Sequence, residues 1–78
     1  MLPPPVMVKR YYQVSRKNLA VVQFIIEGYE GMASVTTVDP QLACLRISII
    51  ENLLDDFELL AEDLQNSFGI KEMACPEE

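Results

Sequence analysis

Histidine and tryptophan are absent from the 78 residues, and glycine occurs only three times. Without histidine the chain lacks the side chain that most often serves as general base near neutral pH and as metal ligand. With so few glycines it has no phosphate-cradling loop, and no Ser/His or Cys/His arrangement can be drawn. Catalysis is not expected, and neither is a cofactor. The two cysteines, Cys44 and Cys75, lack metal-type spacing. No apolar run reaches the roughly 18–20 residues of a membrane span. The opening Met1-Leu2-Pro3-Pro4-Pro5 has no basic stretch followed by a continuous apolar one, so the chain reads as cytoplasmic.

Basic charge is scarce and unevenly placed. Residues 1–26 hold four cations, Lys9, Arg10, Arg16 and Lys17, and no acid. All twelve acids follow, against only Arg46 and Lys71, for a net charge of −6. Most such charges belong to solvated faces, and a charge match between copies or with a partner is the sharper alternative. Half the residues are hydrophobic. A chain this short buries only about 60% of its unfolded surface, so leftover apolar surface predicts self-association.

The central stretch runs from Asn18 to Asp39. Over residues 16–30, Leu19, Val22, Ile25, Ile26 and Tyr29 fall within one helical arc of roughly 120°. Arg16, Gln23, Glu27 and Glu30 form the wet face. Ser15 is placed to cap this helix with its hydroxyl, and Gly28 or Gly31 to end it in the left-handed conformation. Val21 and Phe24 lie on a flank: either a deeply tucked helix or a contact with another chain accounts for them. The β-branched run Val21, Val22, Ile25, Ile26 also suits a strand, but the polar residues do not alternate, so helix is preferred.

Around this helix lie strands. Val6–Val14 reads as the first, with Tyr12 and Val14 toward the helices and Met7, Lys9, Tyr11 and Gln13 turned away. Met32–Val38 is the second, its alternation weakened because Val35 and Val38 differ in parity. Asp39-Pro40-Gln41 forms a turn. In the third, Ala43, Leu45, Ile47 and Ile49 share one face, and Leu42, Cys44, Arg46 and Ser48 the other. A second helix spans about 51–68, with Leu53, Leu54, Phe57, Leu60, Ala61, Leu64 and Phe68 inward and Glu51, Asp55, Glu58 and Glu62 opposite. No Lys or Arg lies between 47 and 70 to relieve the repulsion.

The predicted fold is therefore α+β, a ferredoxin-like β-α-β-β-α order. Three antiparallel strands carry two helices on one face, and residues 70–74 offer a short fourth strand. The domain is placed at 6–70, between a loose proline-rich start (1–5) and an acidic tail (71–78). The third strand lies between the other two, which leaves the first strand as an open edge. Homodimerisation is expected through that edge or the helix-free sheet face, with Tyr11, Val21, Phe24, Leu42, Cys44 and Arg46 as interface candidates. An unidentified protein partner is a further expectation, and a nucleic acid is disfavoured: the charge is wrong, and Tyr11 and Tyr12 point to opposite faces.

Glu27, Tyr29, Glu30, Gly31, Thr37 and Asp39, with Tyr11 and Tyr12 upstream, follow a pattern: an aromatic-rich first strand, a helix ending Glu-x-Tyr-acidic-Gly, and a strand closing on Thr-x-Asp. In this the chain resembles a small bacterial family catalogued only as a domain of unknown function, over roughly residues 10–60. That family lends no activity. Converging carboxylates at Glu27, Glu30 and Asp39 offer a site for a hard cation, with ordinary surface acids as the alternative. Tyr29 and Thr37 complete the candidate ligand set. The element order also resembles the amino-acid-sensing ACT domain, which implies a ligand at a dimer interface. ACT modules place a glycine between first strand and first helix, where this chain has Ser15-Arg16-Lys17-Asn18.

Overall fold

The computed structural model describes residues 6–74. The proline-rich start and Cys75 lie outside the described residues. Four strands and two helices follow in the order β1 (Met7–Gln13), α1 (Leu19–Glu27), β2 (Ala33–Asp39), β3 (Cys44–Ile50), α2 (Leu54–Phe68) and β4 (Lys71–Met73). All pairings are antiparallel, in the sheet order β2-β3-β1-β4. Both helices pack on one face, an α+β arrangement of ferredoxin-like type.

Alternation dictates what each strand buries. Tyr12, Val14, Leu45, Ile47, Ile49 and Ala33 turn under the helices and join Val22 and Ile26 of α1 and Phe57, Ala61 and Leu64 of α2 in one core. Phe57 and Tyr12 stand with ring centroids 6.3 Å apart, tilted by 55°. This is a favourable aromatic geometry at the centre of the layer. α2 ends at Gly69, whose φ of 68° is the left-handed stop that glycine adopts without cost.

The second strand's broken alternation has a structural cause. The register with β3 shifts between Thr37 and Asp39, so Val38 is taken up in a bulge. Asp39 Oδ1 then accepts the backbone N–H groups of Gln41 (3.0 Å) and Leu42 (3.2 Å), which holds the turn. Ala43 takes a positive φ of 53° and is fully buried, so β3 begins one residue after it.

Several expectations are corrected. β1 is not an outermost strand: β4 pairs with it from Tyr11 to Gln13, and β2 and β4 are the outer strands. The short strand offered at residues 70–74 is β4, Lys71–Met73. Ser15 makes no side-chain cap. Its carbonyl instead accepts the Asn18 N–H at 2.8 Å, closing a 3-10 turn over Arg16–Asn18 that feeds α1. Neither Gly28 nor Gly31 is left-handed: Gly69 holds the positive φ among the described glycines. Gly28 keeps helical angles (φ −66°) because the chain leaves α1 through further helical-type turns, Tyr29 N–H to Ile26 carbonyl and Met32 N–H to Tyr29 carbonyl.

Candidate interaction surfaces

The sheet's helix-free face is built from the residues of opposite parity: Met7, Lys9, Tyr11 and Gln13 on β1, Cys44, Arg46, Ser48 and Ile50 on β3, Ser34 and Thr36 on β2, and Lys71 and Met73 on β4. Its charged side chains are Lys9, Arg46 and Lys71, with Asp39 at the margin turned into its own loop. Three of the six cations thus lie on the open sheet, whereas Arg10 faces α2 and Arg16 and Lys17 sit in the turn before α1.

Two of the expected interface residues are placed differently. Leu42 is exposed (53%) but sits in the turn before β3, where its carbonyl accepts the Gln13 side-chain amide at 3.3 Å. Cys44 is fully buried, its sulfur 3.5 Å from that of Met73. β4 covers it, so it offers nothing to a partner.

Val21 (46% exposed) and Phe24 (75%) are not tucked into the core. Gln23, about 200° from Val21 around the helix, accepts the Thr37 hydroxyl on β2 at 3.3 Å. The Val21 flank therefore faces away from the β2 edge.

The carboxylates do not converge. α1 runs back along β2, so Glu27 and Glu30 sit beside the start of that strand while Thr37 and Asp39 sit at its end, about 20 Å away along the backbone. Thr37 is engaged by Gln23 and Asp39 by its turn. Among the described residues no three His, Cys, Asp or Glu side chains gather to hold a metal ion.

Sequence reasoning missed three concavities. One lies between α2 and the β1–β4 edge, lined by Arg10, Tyr12, Glu58, Ala61, Glu62, Gln65 and Glu72. There Arg10 donates to Glu58 Oε1 at 3.1 Å and lies 3.5 Å from Glu72 Oε1, tying α2 to β4. Burial pushes the Tyr12 phenol above its ordinary range. Glu72 adds to the rise, and the Arg10 guanidinium opposes it. A phenol that stays neutral more readily in the folded chain contributes stability that is complete below about pH 10, the unfolded value. That stability is lost as pH rises through the raised folded value. Denaturant melts above pH 10 should therefore weaken in wild type, and Tyr12→Phe should flatten that alkaline slope. An equal slope in both proteins would assign the effect elsewhere.

The second concavity, of 390 Å³, lies between the end of α1 and α2, lined by Tyr29, Met32, Asp56, Leu59, Leu60 and Asp63. Tyr29 thus stands at a groove and not only at the end of a core stripe. The signal for it was Leu59, an apolar residue outside the inward arc of α2. The third, smaller cavity lies by the β1–α1 connection, lined by Gln13, Val14, Ser15, Gly69 and Lys71.

No helix among the described residues is long and apolar enough to cross a membrane. Residues 12–67 match a family described as a domain of unknown function (DUF4911). No curated protein and no solved structure matches the chain.

Proposed function

The chain belongs to the DUF4911 family, and we propose that it is a cytoplasmic, non-enzymatic module that forms a homodimer and binds another protein. The observation that carries the dimer is the outer edge of β2. From Ala33 to Val38 this strand has no charge and no proline, the devices that normally keep an edge from pairing. The Ile50 N–H bonds the Met32 carbonyl at 3.1 Å. By antiparallel alternation, Ser34 and Thr36 then bond β3, while Val35 and Thr37 turn their N–H and C=O groups outward; the Ala33 carbonyl also faces out, but its N–H is held by the Tyr29 carbonyl at 3.0 Å. Two copies pairing along β2 would join their sheets.

Face-to-face association of the open sheets is the weaker route, because it opposes Lys9, Arg46 and Lys71 of each copy to those of the other. Sedimentation at micromolar concentration tests the dimer: a species twice the 8.8 kDa chain mass is expected, and a single 8.8 kDa species would end the proposal.

A second reading, an ACT-like amino-acid sensor, is favoured by the cavity at the β1–α1 connection. If it holds, an amino acid at millimolar concentration should raise the melting temperature, since a ligand bound only by the folded form stabilises it. An unchanged melting temperature across the common amino acids would remove this reading.

A further inference from the structure

We propose that the groove between the end of α1 and α2 docks a basic amphipathic helix of a partner protein. The inference rests on the reading of the chain as a protein-interaction module, but not on its dimerisation.

The groove has an apolar floor and an acidic rim. Tyr29, Met32, Leu59 and Leu60 supply the floor, with Tyr29 48% and Leu59 66% exposed. Leu59 is not needed for the fold's own core, because Phe57, Ala61 and Leu64 already form the buried stripe of α2. An exposed leucine beside an exposed tyrosine in a concave site is the kind of apolar surface that a partner covers.

Asp56 and Asp63 stand on the same flank of α2, seven residues and two turns apart, about 10 Å along the axis. Leu59 and Leu60 lie between them. This is the repeat that a second helix presents when it is laid alongside. Cations at i and i+7 would meet the two aspartates, and apolar residues at i+3 and i+4 would meet the leucines.

The charge around the groove selects the sign of that partner. Neither helix has a basic residue in its last turn. Glu27 closes α1 and Glu30 follows it, at the negative end of that helix's dipole, and Asp56 and Asp63 of α2 line the groove itself. A cationic ligand would pair with the two groove aspartates, Asp56 and Asp63, where an anionic one would be repelled. A second copy is the poorer occupant. Its cations are divided between the open sheet (Lys9, Arg46, Lys71) and the 3-10 turn before α1, where Arg16 and Lys17 are adjacent and not seven residues apart.

The test is a titration of the ¹⁵N-labelled full chain with a synthetic leucine–lysine helical peptide, lysines seven apart and leucines between. Amide shifts should concentrate at Tyr29, Met32 and residues 56–63. Binding should weaken by about tenfold or more in Leu59→Ser and in Asp56→Asn/Asp63→Asn. Both variants change exposed side chains, so folding is kept and is checked in the same spectra. A peptide of identical composition in scrambled order should also bind about tenfold more weakly.

The proposal is overturned if the scrambled peptide binds equally well or if the shifts fall on the open sheet face. It is also overturned if the groove residues shift with protein concentration alone, which would make a second copy the occupant. Sedimentation of the same samples reads the dimer separately, so failure of one reading is not mistaken for failure of the other.

Discussion

Phe57→Ala is expected to cost about 3–5 kcal/mol, enough to leave the domain largely unfolded in buffer. Phe57 is 1% exposed and lies against Tyr12 under α2. Its removal deletes the largest apolar side chain that α2 sends into the core and leaves a cavity that the sheet cannot collapse to fill. The reserve is small: at 0.05–0.15 kcal/mol per residue, a chain of this length holds roughly 4–12 kcal/mol in all. Urea denaturation followed by far-ultraviolet circular dichroism measures the loss, at fixed protein concentration because association contributes to apparent stability. Leu59→Ser, on the same helix but 66% exposed, should change stability by no more than about 0.5 kcal/mol. A Phe57→Ala cost below about 1 kcal/mol, or a comparable cost for both variants, would falsify the assignment of the core to this face of α2.

The element order was legible because each element carries its own period. The third strand alternates over Leu45, Ile47 and Ile49, and all three are fully buried. The inward arc of α2 holds Phe57, Ala61 and Leu64, also buried. A turn as short as the one from Asp39 leaves β2 and β3 no choice but to pair antiparallel. What escaped was set by tertiary contact. The short strand offered at residues 70–74 is present as Lys71–Met73, but three residues show no period, and its pairing with β1 was not announced. Ser15 has the chemistry of a cap, but the chain enters α1 through a 3-10 turn that uses its carbonyl.

The surfaces were less legible than the fold, for a physical reason. Proximity in sequence is a poor guide where the chain doubles back: Glu30 and Asp39 are nine positions apart yet lie at opposite ends of β2, which removes the expected carboxylate site. Conversely, Tyr29 and Leu59 are remote in sequence and line one groove. Parity did predict the open sheet face well, with Lys9, Tyr11, Arg46 and Ser48 on it as read. It could not show that Cys44, on that same face, is roofed by Met73. The segregation of charge along the chain carries over only in part: α2 with its leading turn holds six acids and the open sheet holds Lys9, but Arg10 of the same strand points the other way and pairs with Glu58 of α2.

Ser34→Lys/Thr36→Lys is expected to convert a dimer into an 8.8 kDa monomer. In a two-fold antiparallel pairing centred on Val35, the outward groups of Val35 and Thr37 and the Ala33 carbonyl form about four main-chain hydrogen bonds with their counterparts, the Ala33 N–H being held by Tyr29. Ser34 of one copy then stands opposite Thr36 of the partner subunit. Both side chains are exposed on the open sheet face, and the backbone groups of both residues bond β3; Thr36→Lys also stands opposite Arg46 of β3, a repulsion that both double variants share. Lysines at both positions set like charges directly across the junction, which is destabilising. A charge swap separates this from general disturbance of the strand: Ser34→Glu/Thr36→Lys places opposite charges across the same junction and should restore the dimer. Sedimentation of the three proteins at one concentration decides it. If the two double variants sediment alike, whether both as dimers or both as monomers, charge across β2 does not govern association, and the edge is not the interface.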